Sequence, residues 1–291
     1  MRNISFFLLL VFCISSCKKE TEFRDVIIPS NNPPPDYSID SATINIYVNK
    51  AYINIIGREP VGIERTNALV ILRQNNFSVA NRKQFVQGLL NRPEVNSNLL
   101  ILARSEYLGN TDSFDIAQQI FVFQNALTIP DYAPFYPTIL AEMRRLDTLQ
   151  IALQQMNAGT CSYKEMLRRT INNYFYDQLN MGTENFVVST YQNFLFRYPT
   201  NAELAACKIM VDGQNSLAFL QTGKNKNDYM SIFFSTNDFY EGQVRYIYKK
   251  YLFREPNSAE MAYYAGIYKA NDNYKDLQLE VFSLNEYAGI H

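Results

Sequence analysis

Tryptophan is absent from this chain of 291 residues, histidine occurs once at the last position, and glycine occurs only 11 times. Each scarcity removes a class of chemistry. A lone His291 leaves no imidazole for a Ser-His-Asp or Cys-His triad in an ordinary position, and none for a histidine-based metal centre. No glycine-rich phosphate loop follows a candidate strand, and no Asp-x-Asp-x-Asp-Gly calcium loop occurs. Charge of one sign is also lacking: 27 basic residues face 28 acidic ones with no basic block, which argues against nucleic acid as the main partner. The reading is of a protein without metal or cofactor and without a recognisable catalytic motif. Asp and Glu are scattered along the chain, so carboxylate-pair hydrolysis, a matter of separation in space, stays as an alternative.

What is present is a pattern that occurs three times, Tyr-x-x-φ-φ-[Gly/Phe]-Arg-x-Pro-x-x-x-Glu, with φ a bulky apolar residue or Tyr. The copies are Tyr52…Gly57-Arg58-Glu59-Pro60…Glu64, Tyr191…Phe196-Arg197-Tyr198-Pro199…Glu203 and Tyr248…Phe253-Arg254-Glu255-Pro256…Glu260. Apolar positions before each copy align at i, i+3, i+4, i+7 and i+8, the stripe of an amphipathic helix. Gly57 suits a left-handed helix end, and the Arg lies where a cation favours the last carbonyls. Thr200-x-x-Glu203 matches a capping box and Asn257-x-x-Glu260 is a close variant, whereas Val61 breaks the box in the first copy. Helix capping and an ion pair across the turn explain the shared Arg and Glu more simply than an active site does.

The N-terminus has a basic Arg2, an apolar run from Ile4 to Ile14, then Ser15-Ser16-Cys17. That run is too short to span a bilayer and reads as a secretory signal. Small residues directly before Cys17 resemble the lipobox of bacterial lipoproteins, with Ile14 where Leu is usual. The resemblance implies cleavage before Cys17 and its acylation, which would tie the protein to the membrane; the alternative is an ordinary signal peptide or an uncleaved anchor. Ser-Cys-Lys-Lys-Glu resembles the start of Bacteroidetes-type outer-membrane lipoproteins, which implies display on the outer face. Residues 18–41 hold Pro29, Pro33, Pro34 and Pro35 among Ser, Asn and Asp, a tether that could reach roughly 80 Å when extended.

The remainder reads as all-α: a first helical unit at 42–97, a middle helical segment at 98–160, and second and third units at 161–291. Each unit is expected to be a motif helix, a turn, a second helix and a closing helix. Closing helices are expected around Phe85–Leu90, Tyr163–Tyr176, Tyr229–Tyr240 and Leu277–Tyr287, one more than there are motifs, so the middle is either a diverged copy or an insertion. A single helix is expected from Thr138 to about Met156. The pattern resembles phycobilisome-linker-like domains of unknown function that carry Leu-Gly-Arg-x-Pro, and domains of unknown function beside planctomycete cytochromes. What the resemblance implies is an extracytoplasmic helical module; with no Cys-x-x-Cys-His run, no haem is carried over.

Two further features invite contact or covalent roles. The loop with Tyr132, Phe135 and Tyr136 among Pro130, Pro134 and Pro137 is the best candidate contact surface, since rigid aromatics contribute most at interfaces, unless its rings fold back into the core. Cys161 and Cys207 could form a disulfide in an oxidising envelope, or Cys207, which aligns with Ala68 and Tyr264 on a core stripe, could be a buried free thiol. The functional expectation is a lipid-anchored outer-membrane binding or scaffold protein with a protein partner. A glycan-capture lipoprotein is the alternative, raised by 21 Tyr and 20 Phe, most of which fall on core stripes.

Overall fold

The computed structural model describes residues 39–290. The signal segment with Cys17, the tether up to residue 38, and His291 lie outside the described residues. The described chain is all-α except for one small hairpin. Its order begins with α1 (Ser41–Ala51), which continues as a π-helical turn (Tyr52–Ile56), then α2 (Gly62–Arg73) and α3 (Val79–Leu90). Residues 39–41, expected in the tether, already belong to the fold, because Asp40 is the N-cap of α1. Its Oδ1 accepts from the Thr43 N–H at 2.8 Å, and the Ile39 N–H donates to Asn76 Oδ1 at 3.1 Å.

The middle runs through α4 (Glu94–Tyr107), α5 (Ser113–Ala126), a 3-10 turn (Pro130–Phe135), α6 (Tyr136–Gln150) and α7 (Ala152–Asn157). The single helix expected from Thr138 to Met156 is thus two, parted at the half-exposed Ile151. Next come α8 (Tyr163–Ile171) and α9 (Tyr174–Leu179), separated because Asn173 turns its Oδ1 onto the N–H groups of Phe175 and Tyr176 and starts a new helix. The second motif spans α10 (Thr183–Leu195), α11 (Asn201–Val211) and α12 (Lys226–Phe233); the third spans α13 (Asn237–Tyr251), α14 (Ser258–Asn271), α15 (Tyr274–Phe282) and a last turn, α16 (Asn285–Ala288).

Between α11 and α12 lies the hairpin, β1 (Ser216–Ala218) against β2 (Gln221–Gly223), antiparallel with Leu217 opposite Thr222. Its two turn residues, Phe219 and Leu220, both have positive φ, as a two-residue hairpin turn requires. Neither is a residue type that announces such a turn, so composition hides it. Tertiary contact supplies the reason: the Phe219 ring stacks on Tyr191 at 5.7 Å and meets Phe233 edge-on at 5.9 Å.

Aromatic rings build the core. Phe194 lies within 6.3 Å of Phe233, Phe234 and Phe239, and Tyr47, Tyr191, Tyr229 and Tyr268 are fully buried. Buried tyrosines are tolerable where the hydroxyl finds a partner; Tyr47 donates to the Phe282 carbonyl at 2.9 Å and Tyr229 shares a hydrogen bond with Thr190 at 2.5 Å. The same rings that suggested a glycan groove are in large part core.

The last helices pack on the first, α15 against α3 and α16 against α1. Arg82 on α3, 2% exposed, fastens that seam: Nε donates to the Ser283 carbonyl at 3.0 Å, Nη1 to the Phe77 carbonyl at 2.7 Å, and Nη2 to Asn285 Oδ1. Lys83 pairs with Glu280 at 2.6 Å, and Asn54 donates to the Tyr287 hydroxyl at 2.9 Å. Elsewhere α10 and α13 approach so closely that a Cβ on Gly242 would stand 1.7 Å from the Phe194 carbonyl oxygen. Gly242→Ala is therefore expected to force the two helices apart and cost about 3 kcal/mol, read as a lowered urea midpoint; an unchanged midpoint would show that the helices can part freely.

Candidate functional site

The three motif turns share one geometry. Gly57, Phe196 and Phe253 each close a helix in the left-handed region, with φ of 88°, 56° and 57°. The following Arg then points back across the turn and forks onto the Glu six residues on: Arg58 to Glu64 at 2.8 and 2.8 Å, Arg197 to Glu203 at 2.8 and 2.7 Å, Arg254 to Glu260 at 2.8 and 2.7 Å. Pro60, Pro199 and Pro256 precede the N-caps Val61, Thr200 and Asn257, and each Glu accepts from the N–H of its own N-cap at 2.8–2.9 Å. Val61 has no side-chain acceptor, so the first copy keeps only the Glu64 half of the box. Tyr52, Tyr191 and Tyr248 are buried, and the guanidinium carbons of Arg197 and Arg254 lie 5.0 and 4.9 Å from the rings of Tyr191 and Tyr248. In the first copy Arg92 takes that place over Tyr52 at 5.9 Å.

A third member went unseen in the motif. An acid four residues after the closing-helix position held by Leu90, Phe234 and Phe282 completes each fork: Glu94 lies 3.7 Å from Arg58, Asp238 3.0 Å from Arg197, Glu286 2.7 Å from Arg254. The spacing Leu90-x-x-x-Glu94, Phe234-x-x-x-Asp238 and Phe282-x-x-x-Glu286 was there to be found. These residues lie in the first turns of α4, α13 and α16 and tie the motif turn to the helix that follows each closing helix, which is a structural role.

The side chains with chemical potential are otherwise engaged. Cys161 and Cys207 are both free and buried, a correction to the possible disulfide. Cys207 faces Tyr191 inside the core, its Sγ 3.7 Å from the hydroxyl, while Cys161 lies at the start of α8 against the Ser162 carbonyl. Burial raises both thiol pKa values. Glu260, Glu280 and Glu286 line a cavity of about 410 Å³ at the seam, but each is engaged in an ion pair, to Arg254 or Lys83, and Arg254 holds the Glu260 carboxyl below the usual carboxylate range. Burial does raise the pKa of Glu142, yet its Oε2 is sealed from solvent and so is not presented to a substrate. Among the described residues no cluster of His, Cys, Asp or Glu could hold a metal.

The hairpin of α5 and α6 is different in kind. Asp112 caps α5, accepting from the N–H groups of Phe114 and Asp115, and Asp115 reaches back to the Asp112 N–H. Although rich in apolar residues, α5 buries only Ile116. Phe114, Phe121, Val122 and Ile129 are exposed, and so are Tyr132 and Phe135 at 46% and 59%. Tyr136 is half-buried and donates to the Ile129 carbonyl at 2.9 Å, which stiffens the turn. The rings of the Pro-rich loop thus stay out of the core. Between residues 113 and 140 only Asp115 and Asp131 are charged, so the apolar surface is continuous in composition from helix to turn. Apolar, aromatic and depleted of charge is the make-up of an interface centre.

Comparison with protein families, with curated proteins and with solved structures yields no match for this chain.

Two outcomes follow from the motif turns and the thiols. Arg197 holds the Glu203 carboxyl down at about 2, from an ordinary 4.5, and a depressed carboxylate contributes stability that is present above the unfolded value and lost as pH falls through the folded one. Stability should fall between pH 4.5 and about 2, and Arg197→Ala should flatten that window while costing roughly 1–2 kcal/mol at neutral pH. Acid titrations of melting temperature test this, and an identical acid limb in the variant would refute it. Alkylation without reductant should label Cys161 and Cys207 only after unfolding; a mass two hydrogens short, with no label, would restore the bridge.

Proposed function

We propose that this protein is a binding or scaffold subunit held at the outer membrane, facing outward, by a lipid on Cys17, and that it presents the α5–α6 hairpin to a protein partner there. The observation that carries the reading is the exposed apolar hairpin, with Phe121, Tyr132 and Phe135 on a rigid, nearly uncharged support. Such a surface is costly to leave in water, at about 25 cal/mol per Å² of apolar area, and is relieved by a partner of the same character. The lipobox-like residues before Cys17 and the Pro-rich tether supply the anchor. No helix among the described residues is long and apolar enough to cross a membrane, so the proposed attachment rests on the lipid. The likeness of the motif to helical modules of unknown function accords with a non-catalytic role.

The partner chemistry follows from the patch. It is an apolar or aromatic protein face with few charges, because a carboxylate buried against this hairpin would find no counter-ion and a lysine only Asp115 or Asp131. Gentle solubilisation of native membranes and capture of the protein should bring down an outer-membrane partner at near-stoichiometric yield. Phe121→Asp with Phe135→Asp should abolish that yield and leave the melting temperature unchanged, since both rings are exposed. Intact mass should show acyl chains that Cys17→Ala lacks. A wild-type protein that comes down alone, or a partner retained by the double variant, would remove the hairpin from the interface.

A further inference from the structure

Two helical stripes of charge meet where α6 packs on α8. On α6, Arg144, Arg145 and Thr148 share a face through i, i+3 and i+4 spacing; on α8 and its C-terminal cap, Glu165, Arg168, Arg169 and Asn172 do the same. Together they line a cleft of about 220 Å³. Four guanidinium groups therefore face one side of a chain whose net charge is −1, against two carboxylates, Glu165 and Glu142.

Structural duty accounts for half of these cations. Arg169 donates to Glu165 at 2.9 Å, to the Thr148 carbonyl at 2.9 Å and to Gln155 Oε1 at 2.6 Å, and so fastens α8 to α6 and α7. Arg145 bonds Glu142. The other two are not accounted for in this way. Arg144 is exposed and makes no ion pair or hydrogen bond among the described residues, and Arg168 reaches Glu165 only at 3.7 Å. Like charges gathered without partners repel, so the arrangement is at its most favourable when an anion enters.

We propose that this cleft binds an oxyanion, a phosphate or a carboxylate group, held by the forks of Arg144 and Arg168. Guanidinium matches both groups with parallel N–H bonds, which a lysine cannot do. The site shares α6 with the hairpin but none of the exposed rings proposed for the interface, and does not depend on that function.

The test titrates the purified protein with inorganic phosphate, with glucuronate and with uncharged glucose by calorimetry. Saturable binding of one anion is expected with Kd of about 1 mM or tighter, weakening as salt is added. Arg144→Ala with Arg168→Ala should weaken it by about tenfold or more, and Arg144→Lys with Arg168→Lys, which keeps charge and loses the fork, should fall between. The lysine pair also keeps the test open should the alanine pair fail to fold. Preference for phosphate would identify a phosphorylated ligand or the free ion, and preference for glucuronate an acidic saccharide. The proposal is overturned by glucose binding as well as the anions, by anion affinity that the double variants retain, or by no saturable binding of either anion.

Discussion

A guanidinium that must be shared between two carboxylates governs how this chain turns. In each motif the Arg cannot reach its Glu unless the residue before it adopts the left-handed conformation, and Phe196 and Phe253 accept that conformation at a cost that an ordinary L residue avoids, about 1–2 kcal/mol. The fork returns more than an isolated surface pair would. Its geometry is bidentate, the Glu is also bonded to a backbone N–H, and a second acid from the first turn of the helix after the closing helix joins it, so three segments are fixed by one cation. The aromatic ring of the motif Tyr beneath the Arg in the second and third copies shields one side from water. A lysine in the same place could not make the parallel pair, which is why the three copies agree on arginine.

Arg82 shows the same residue type serving without any carboxylate. Its donors end on two backbone carbonyls and an amide oxygen, at the seam where the last helices meet the first. A buried charge of this kind is tolerable because guanidinium spreads its charge and every contact is a hydrogen bond, and the Phe77 ring 5.1 Å away adds an attractive face. It works as a register pin. Only one alignment of α15 against α3 brings Ser283 and Asn285 within reach, so closure of the chain is specified as well as favoured.

How far the sequence could be read follows from the range of the interactions. The motif helices, their left-handed first exit at Gly57 and the capping glutamates are local, set within four residues, and they were legible. The acids that complete the forks have an equally clear spacing, but each lies 32 to 41 residues from its Arg, and only the fold brings them together. Distance in sequence also hid the β1–β2 turn, where Phe219 takes positive φ because Tyr191 and Phe233 hold its ring. Cys161 and Cys207 had the compartment for a bridge in prospect, yet the segment before α8 and the helix α11 present them to different neighbours. The four arginines of the α6–α8 cleft stood at helical spacing throughout; what could not be read was that two separate stripes would face each other.

The middle of the chain is where these devices are missing. Its closing helix, α8, is followed by Asn172-Asn173-Tyr174-Phe175, with no acid where Glu94, Asp238 and Glu286 stand, and no motif Arg precedes it between residues 98 and 160. Without a fork to draw the segment onto its neighbours, α5 meets little besides α6 and leaves Phe114, Phe121 and Val122 in water. The asymmetry is informative because the rest of the molecule is tightly cross-tied, so an unburied aromatic face cannot be charged to general looseness. Segments with few buried apolar contacts open most readily and are where binding surfaces are found. A capped helix, a turn braced by three prolines and the Tyr136 hydrogen bond nevertheless hold the hairpin's shape, which reduces the ordering that a partner must impose. Rigid in itself and unsatisfied on its outer face, the hairpin has the physical character of half an interface.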